Sequence, residues 1–200
     1  MTAQTNIIHM TRPVWQKKLP MIATYSRIAL TPVIFGLAYH DAPWALPLTA
    51  LIFIIGSITD YFDGYLARKY NTVSNEGRLM DPIADKIMVL AALIILLDMD
   101  RVGPVIVTLF LARDILIGGI RSIAAAENII ISAEKTGKWK AALQMISIPC
   151  LFIYDNSFLQ LPFELPLKDI GYYGLLVSVV LSSLSGYNYV MGYLRGKKQA

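Results

Sequence analysis

The sequence predicts an all-α integral membrane protein with six transmembrane helices and an N-terminal interfacial segment. Three observations predict it. Of its 200 residues 56% are hydrophobic and 16% charged, with a mean hydropathy of +0.53, whereas soluble domains carry about a quarter charged residues. Six apolar runs approach the roughly 20 residues needed to cross hydrocarbon. Lysine and arginine gather in alternate gaps between those runs.

The elements follow in order. Residues 1–20 form a cytoplasmic lead. Within it Ile7–Leu19 sets Ile7, Ile8, Met10, Val14 and Trp15 beside Arg12, Lys17 and Lys18, a mixture suited to lying on the inner leaflet; its first several residues read equally well as a disordered tail. The spans are Met21–Ala38, Trp44–Leu66, Ile83–Leu97, Val102–Ala124, Trp139–Tyr154 and Ile170–Leu194. The third and fifth are short and borrow polar turns at their ends. The first is not read as a cleaved signal, because Tyr39-His40-Asp41 is a poor small-residue cleavage site. Turn residues separate the spans at His40–Pro43, Asp98–Asp100 and Asp155–Lys168, the last with Pro162 and Pro166. The whole chain, 1–200, reads as one membrane domain.

Charge sets the orientation. Arg12, Lys17 and Lys18 precede the first span, and Arg68, Lys69 and Arg78 follow the second. Lys135, Lys138 and Lys140 lie between the fourth and fifth, and Arg195, Lys197 and Lys198 follow the sixth. Arg101 and Lys168 fall on the other side. The positive-inside rule therefore places both termini and these two loops in the cytoplasm. No basic run interleaved with aromatics suggests nucleic acid. The single cysteine, Cys150, rules out an intramolecular disulfide and reads as a small buried hydrophobe.

Four carboxylates sit where apolar spans meet the cytoplasmic side: Asp60, Asp63, Asp81 and Asp85. From Trp44 to Ile58 and from Ile83 to Leu97 the helix rises about 22 Å in each case, so both pairs lie at one depth. Asp60 and Asp63 are spaced i,i+3, with Gly64 and Ala67 continuing the face, and Asp81 and Asp85 are i,i+4. If the two helices are neighbours, four carboxylates converge. Such like charges need cations, and oxygen ligands favour hard ions such as Mg²⁺, Mn²⁺ or Ca²⁺. Paired ions are a recurring device of phosphoryl transfer.

Each residue also has a structural explanation. Asp81 before Pro82 is an ordinary helix cap followed by proline, and Asp85 suits a helix dipole. Gly64 and Ala67 suit tight packing, and Arg68 suits an interfacial snorkelling role. Asp60 and Asp63 resist this treatment, because carboxylates in a span are functional by default.

The full spacing D-x2-D-G-x2-A-R-x8-G-x3-D-x3-D is met at Asp60, Asp63, Gly64, Ala67, Arg68, Gly77, Asp81 and Asp85. At average residue frequencies its chance occurrence in such a chain is about one in ten million or less. This pattern resembles the signature of the CDP-alcohol phosphatidyltransferases at all eight positions. The resemblance implies that Asp60, Asp63 and Asp81 hold two divalent ions, Mg²⁺ or Mn²⁺. It implies that Asp85 is the general base, in reach of metal as well. Asp60, Gly64, Ala67, Arg68 and Gly77 would bind CDP-diacylglycerol, Arg68 on its phosphates and Gly77 by letting the connecting loop close. A homodimer in the cytoplasmic membrane, with the active site facing inward, is implied too.

The acceptor is read from other residues. Arg113 and Arg121 are eight apart on the fourth span, about 2.2 turns and so roughly one face. Asp114, being adjacent, is not an obvious partner for Arg113. With Lys135 and Lys138 the two arginines suggest an acceptor phosphate pocket, while Lys140 is read as loop charge. Leu19–Arg27, Gly77–Lys86 and Lys135–Lys140 resemble most closely the branch of the family that uses glycerol 3-phosphate. Met21 departs from it, since asparagine often stands there. Arg27 either lines the acceptor or lipid pocket or pairs with an aspartate.

Other acceptors within the family stay open: those of cardiolipin, phosphatidylinositol-phosphate and phosphatidylserine synthesis. Two different classes are a divalent-cation transporter and a non-catalytic lipid-binding protein. A transporter would spread polar residues through the membrane depth, and a non-catalytic member would have lost an aspartate. His9 and His40 fall on opposite sides, and no serine elbow or P-loop occurs. Direct displacement without a covalent intermediate is the expected mechanism.

Overall fold

The computed structural model describes residues 14–70, 75–127, 129, 136–157 and 165–197, with side chains described for 25–59, 86–127, 129, 139–157 and 165–197. Helices account for nearly all of it. They are α1 Val14–Ala38, α2 Ala45–Tyr70, α3 Asn75–Asp98, α4 Pro104–Ala126, α5 Thr136–Ile153 and α6 Leu167–Lys197. Among the described residues there is no strand. Each expected span lies essentially within one helix. The helices α2 and α3 run well past the apolar segments into the charged motif. Val14–Leu19, part of the segment expected to lie flat, belongs to α1; Ile7 to Pro13 lie outside the described residues.

Among the described residues, α6 alone is long and apolar enough to cross a membrane on its own, with a mean hydropathy of 1.3. Tyr25–Ala38, Ala45–Thr59 and Trp139–Ile153 are shorter apolar stretches.

Packing follows an inverted pattern. Phe53, Met88, Leu93, Ile95, Leu96, Ile148, Phe152 and Leu175 form a conventional centre. On α6, however, the buried stripe is Gly171, Leu175, Ser178, Val179, Ser182, Ser185 and Gly186. Its exposed side carries Tyr173, Val177, Val180, Leu184 and Tyr187. Small residues let helices approach closely where no water drives apolar side chains together. A Cβ on Gly171 would stand 2.6 Å from Leu151 Cγ, and one on Gly174 would collide with Ser147 Oγ. This stripe is what lets α6 pack on α5 and α4.

The α3–α4 connection is short and tightly specified. Arg101 N donates to Leu96 O at 2.9 Å and Asp100 N to Leu97 O at 3.1 Å, the paired bonds that close a helix when the next residue turns left-handed. That residue is Asp100, at φ 55°, where aspartate is tolerated better than most side chains. Gly103 then caps α4 in an extended conformation and Pro104 starts it, a position where proline's missing N–H costs nothing.

Three side chains tie this end of the bundle. Arg101 Nη1 donates to Leu151 O (2.6 Å) and Phe152 O (2.9 Å), and Nη2 to Asp155 Oδ1 (2.7 Å). Tyr39 Oη donates to Asp98 Oδ2 at 2.9 Å, and Asn156 Nδ2 donates to Pro43 O at 2.9 Å.

Candidate functional site

The carboxylate motif is divided between two consecutive helices, α2 and α3, each of which packs most extensively on α1. Asp60 and Asp63 lie ten and seven residues before the end of α2, and Asp81 and Asp85 six and ten residues after the start of α3. At 1.5 Å per residue the inner pair, Asp63 and Asp81, sits about 10 Å and 9 Å from its helix end, and the outer pair about 15 Å. The spacing is mirrored about the four-residue connection. Gly64, Ala67 and Arg68 lie on the same part of α2. The side chains of all eight motif positions lie outside the described residues.

Two expectations change here. Gly77 is the third residue of α3 and not part of the connecting loop. Asp81 is the seventh residue of that helix, so it cannot be its N-cap. The helix begins early because Asn75-Glu76-Gly77-Arg78, polar and invisible to a search for apolar runs, continues it outward. Removing the cap explanation leaves Asp81 without its ordinary structural role. Among the described residues no group of three His, Cys, Asp or Glu is placed to hold a metal. The donor set on α2 and α3, four carboxylates in mirrored pairs, fits hard divalent ions.

Four helices meet at Asp114. Its Oδ1 accepts from Arg113 Nη1 at 2.8 Å and from Lys140 Nζ at 3.0 Å. Lys86, on α3, donates from Nζ to the Asp114 backbone carbonyl at 3.0 Å. Arg113 Nε donates to Ser182 O on α6 at 3.1 Å, and Ser178 Oγ on α6 donates to Lys140 O at 3.0 Å. Lys86, Asp114 and Gln144 form the polar part of a cavity of about 240 Å³, otherwise walled by residues such as Leu93, Phe110 and Ile115.

The sequence reading missed this junction in two ways. Asp114 is the partner of Arg113, although neighbours on a helix point about 100° apart; the long arginine side chain bends back to reach it. Lys140, read as loop charge, is 9% exposed and belongs to the junction. A carboxylate in the middle of the fourth apolar run was the available signal. Arg27 is likewise buried, at 2% exposure.

Arg113 and Arg121 do not share one environment. Eight residues separate them by about 12 Å along the axis. Arg121 is exposed, with its guanidinium 5.9 Å from the centre of the Tyr189 ring. Lys135 lies outside the described residues, and Lys138 is on the first turn of α5 with its side chain outside them. At this end Tyr193 Oη donates to Glu127 Oε2 at 2.8 Å and Lys197 Nζ lies 3.4 Å from Oε1. Those bonds hold the Glu127 carboxyl below its usual range.

Helices with apolar outer faces, and with charges and small residues between them, define a membrane protein whose polar chemistry is held inside the bundle. The chain belongs to the CDP-alcohol phosphatidyltransferase family, whose model matches residues 17–183. It is 37% identical over 173 residues to a CDP-diacylglycerol–glycerol-3-phosphate 3-phosphatidyltransferase of Rickettsia typhi, covering 86% of this chain and 95% of that one. The enzyme of the same name from Bacillus subtilis is 35% identical over 186 residues, 86% and 92% of the two chains. A cardiolipin synthase (CMP-forming) of Oryza sativa subsp. japonica is 34% identical over 178 residues, 82% of this chain but 54% of its own. Family membership sets aside the transporter reading.

Proposed function

We propose that the chain transfers the phosphatidyl group of CDP-diacylglycerol to the primary hydroxyl of glycerol 3-phosphate, giving phosphatidylglycerophosphate and CMP. The observation that carries this is the complete carboxylate motif on α2 and α3 of a chain similar, over most of its length, to relatives bearing that activity's name. Two divalent ions, Mg²⁺ or Mn²⁺, held by Asp60, Asp63, Asp81 and in part Asp85, would neutralise pyrophosphate charge and the charge gathering on departing CMP.

The chain's own residues do the rest. Asp85 takes the proton of the acceptor hydroxyl. The resulting oxygen attacks the β-phosphorus that bears diacylglycerol, and the bond from that phosphorus to the CMP oxygen breaks. Arg68 clasps the CDP phosphates, a geometry to which a guanidinium fork is suited. Gly64 and Ala67 leave room for the nucleotide along α2. Gly77, the third residue of α3, leaves room for the nucleotide at the start of that helix. Arg121, Lys135 and Lys138 draw the acceptor phosphate to the cytoplasmic end of α4 and α5, with Arg113 deeper on α4.

The six helices cross the membrane, with both termini and the motif on the cytoplasmic side, following the distribution of Lys and Arg. There a donor embedded in lipid and a water-soluble acceptor meet. The family resemblance supports a homodimer. Cardiolipin synthesis is a second reading, favoured by the rice relative. The first is preferred because the chain spans nearly all of the bacterial glycerol-3-phosphate relatives and about half of the rice one.

The experiment is CMP release from CDP-diacylglycerol with separate acceptors: glycerol 3-phosphate, phosphatidylglycerol, serine and inositol phosphate. Release strongest with glycerol 3-phosphate is expected. Release strongest with phosphatidylglycerol would transfer the assignment to the second reading.

A further inference from the structure

Asp114 holds two cations with a single oxygen, and its backbone carbonyl holds a third. Arg113 Nη1 and Lys140 Nζ both approach Oδ1, at 2.8 and 3.0 Å, and Lys86 Nζ lies 3.0 Å from the carbonyl oxygen. These contacts join α4 to α5 and α3, while Arg113 Nε reaches α6 through Ser182. The guanidinium is thus held at two of its three nitrogens, which fixes its plane. Three like charges at one partly buried junction repel one another strongly at low dielectric, and one carboxylate keeps them together.

The third cation adds a connection to the chemistry. Lys86 follows Asp85 directly, so its bond to the Asp114 carbonyl fixes the position and rotation of α3 where the base stands. The carboxylate and the carbonyl of one residue therefore serve different parts of the site. The carbonyl registers the base's helix against α4, and the carboxylate orients the cations on the acceptor side.

We infer that Asp114 is a positioning residue for acceptor binding: its carboxylate sets Arg113 and Lys140, and it touches no reacting atom. This rests on the proposed phosphorylated acceptor. Because the Lys86 bond uses the backbone, a side-chain change at 114 leaves the base's helix registered and disturbs the acceptor side alone. A donor site served by Arg68 on α2 should be insulated from it.

The test compares Asp114→Asn and Asp114→Glu with the unaltered full-length protein in vesicles containing CDP-diacylglycerol and Mg²⁺. CMP release is measured against glycerol 3-phosphate and, separately, against CDP-diacylglycerol, alongside the melting temperature in detergent. Asp114→Asn should raise the KM for glycerol 3-phosphate about tenfold or more, the scale of a lost charge-assisted bond, and leave that for CDP-diacylglycerol within about twofold. Asp114→Glu keeps the charge but moves it by one methylene. It should show a smaller rise in the same KM at an unchanged melting temperature, and it carries the test if the asparagine variant does not fold. Equal changes in both KM values, or a lowered melting temperature with both KM values intact, would overturn the inference. If unaltered protein prefers serine or phosphatidylglycerol, the acceptor assignment fails separately, and the same KM split measured on the preferred acceptor still decides the role of Asp114.

Discussion

The Arg101 guanidinium spans 2.7 Å to Asp155 Oδ1 while its other terminal nitrogen caps the carbonyls of Leu151 and Phe152. One side chain from the α3–α4 turn thereby closes the end of α5, which carries Pro149 four residues before its last residue. Helix ends leave carbonyls without intrahelical donors, and a planar fork satisfies several at once. The Tyr154 ring lies beneath the same guanidinium, 4.9 Å away.

Arg101→Lys should therefore destabilise the protein by about 1–3 kcal/mol, the scale for bonds to a charged group. Lysine cannot serve two carbonyls and a carboxylate with one planar fork. Thermal unfolding in detergent checks this, and CMP release below the transition should be nearly unchanged, since the motif is at the other end of the helices. An unaltered melting temperature would show that the fork contributes nothing.

A second contact at that end responds to pH. The bond that Tyr39 donates to Asp98 raises the phenol's pKa above its usual value of 10.0. A group whose folded pKa is raised contributes stability below its unfolded pKa and loses it as pH rises through the folded one. The stability difference between native protein and Tyr39→Phe should be constant up to about pH 9 and shrink above about pH 10. Melting temperatures of the two proteins from pH 7 to 11 give the measurement. A difference that persists undiminished at pH 11 would remove this contact from the account.

The metal assignment predicts that chelator abolishes CMP release and that Mg²⁺ or Mn²⁺ restores it. Asp60→Asn, Asp63→Asn and Asp81→Asn should each lower turnover severely. Asp85→Asn should lower it by about 10²–10⁴-fold, the range for loss of a general base, while CDP-diacylglycerol still binds in the presence of metal. Full turnover in chelator, with metal absent by elemental analysis, would eliminate the mechanism.

Arg121 stands apart from the Asp114 junction and nearer the C-terminal end of α4. Arg121→Ala and Lys135→Ala should each raise the KM for glycerol 3-phosphate more than tenfold and leave CDP-diacylglycerol binding nearly unchanged. The weak reaction with neutral glycerol should hardly respond. Loss of both reactions in equal measure would mean that these cations support the fold and not the phosphate.

Most of the architecture was legible because apolar length is a strong signal: each expected span falls essentially inside a helix. The motif was legible because its i,i+3 and i,i+4 spacings put carboxylates on one helical face before any neighbour is known. What escaped was contact between helices. Nothing in the local pattern joins Lys140 to Asp114, 26 residues away, or Lys86 to the same residue, 28 away. Arg113 and Asp114 were separated by a rule about where neighbouring side chains start, which says little about where a long arginine ends. The first turns of α3 escaped for the opposite reason, being too polar to register as part of a span.

The glycine and serine stripe of α6 bears on how this chain tolerates change. A mutational map drawn along α6 would be the negative of one from a water-soluble helix. At Val177, Val180 and Leu184 one bulky apolar residue should replace another freely, because each faces outward. At Gly171 and Gly174 even a methyl group meets Leu151 or Ser147. A library built to vary small residues and spare large ones would then destroy α6 at its seam. One that varied only its bulky outer positions could carry many substitutions at once.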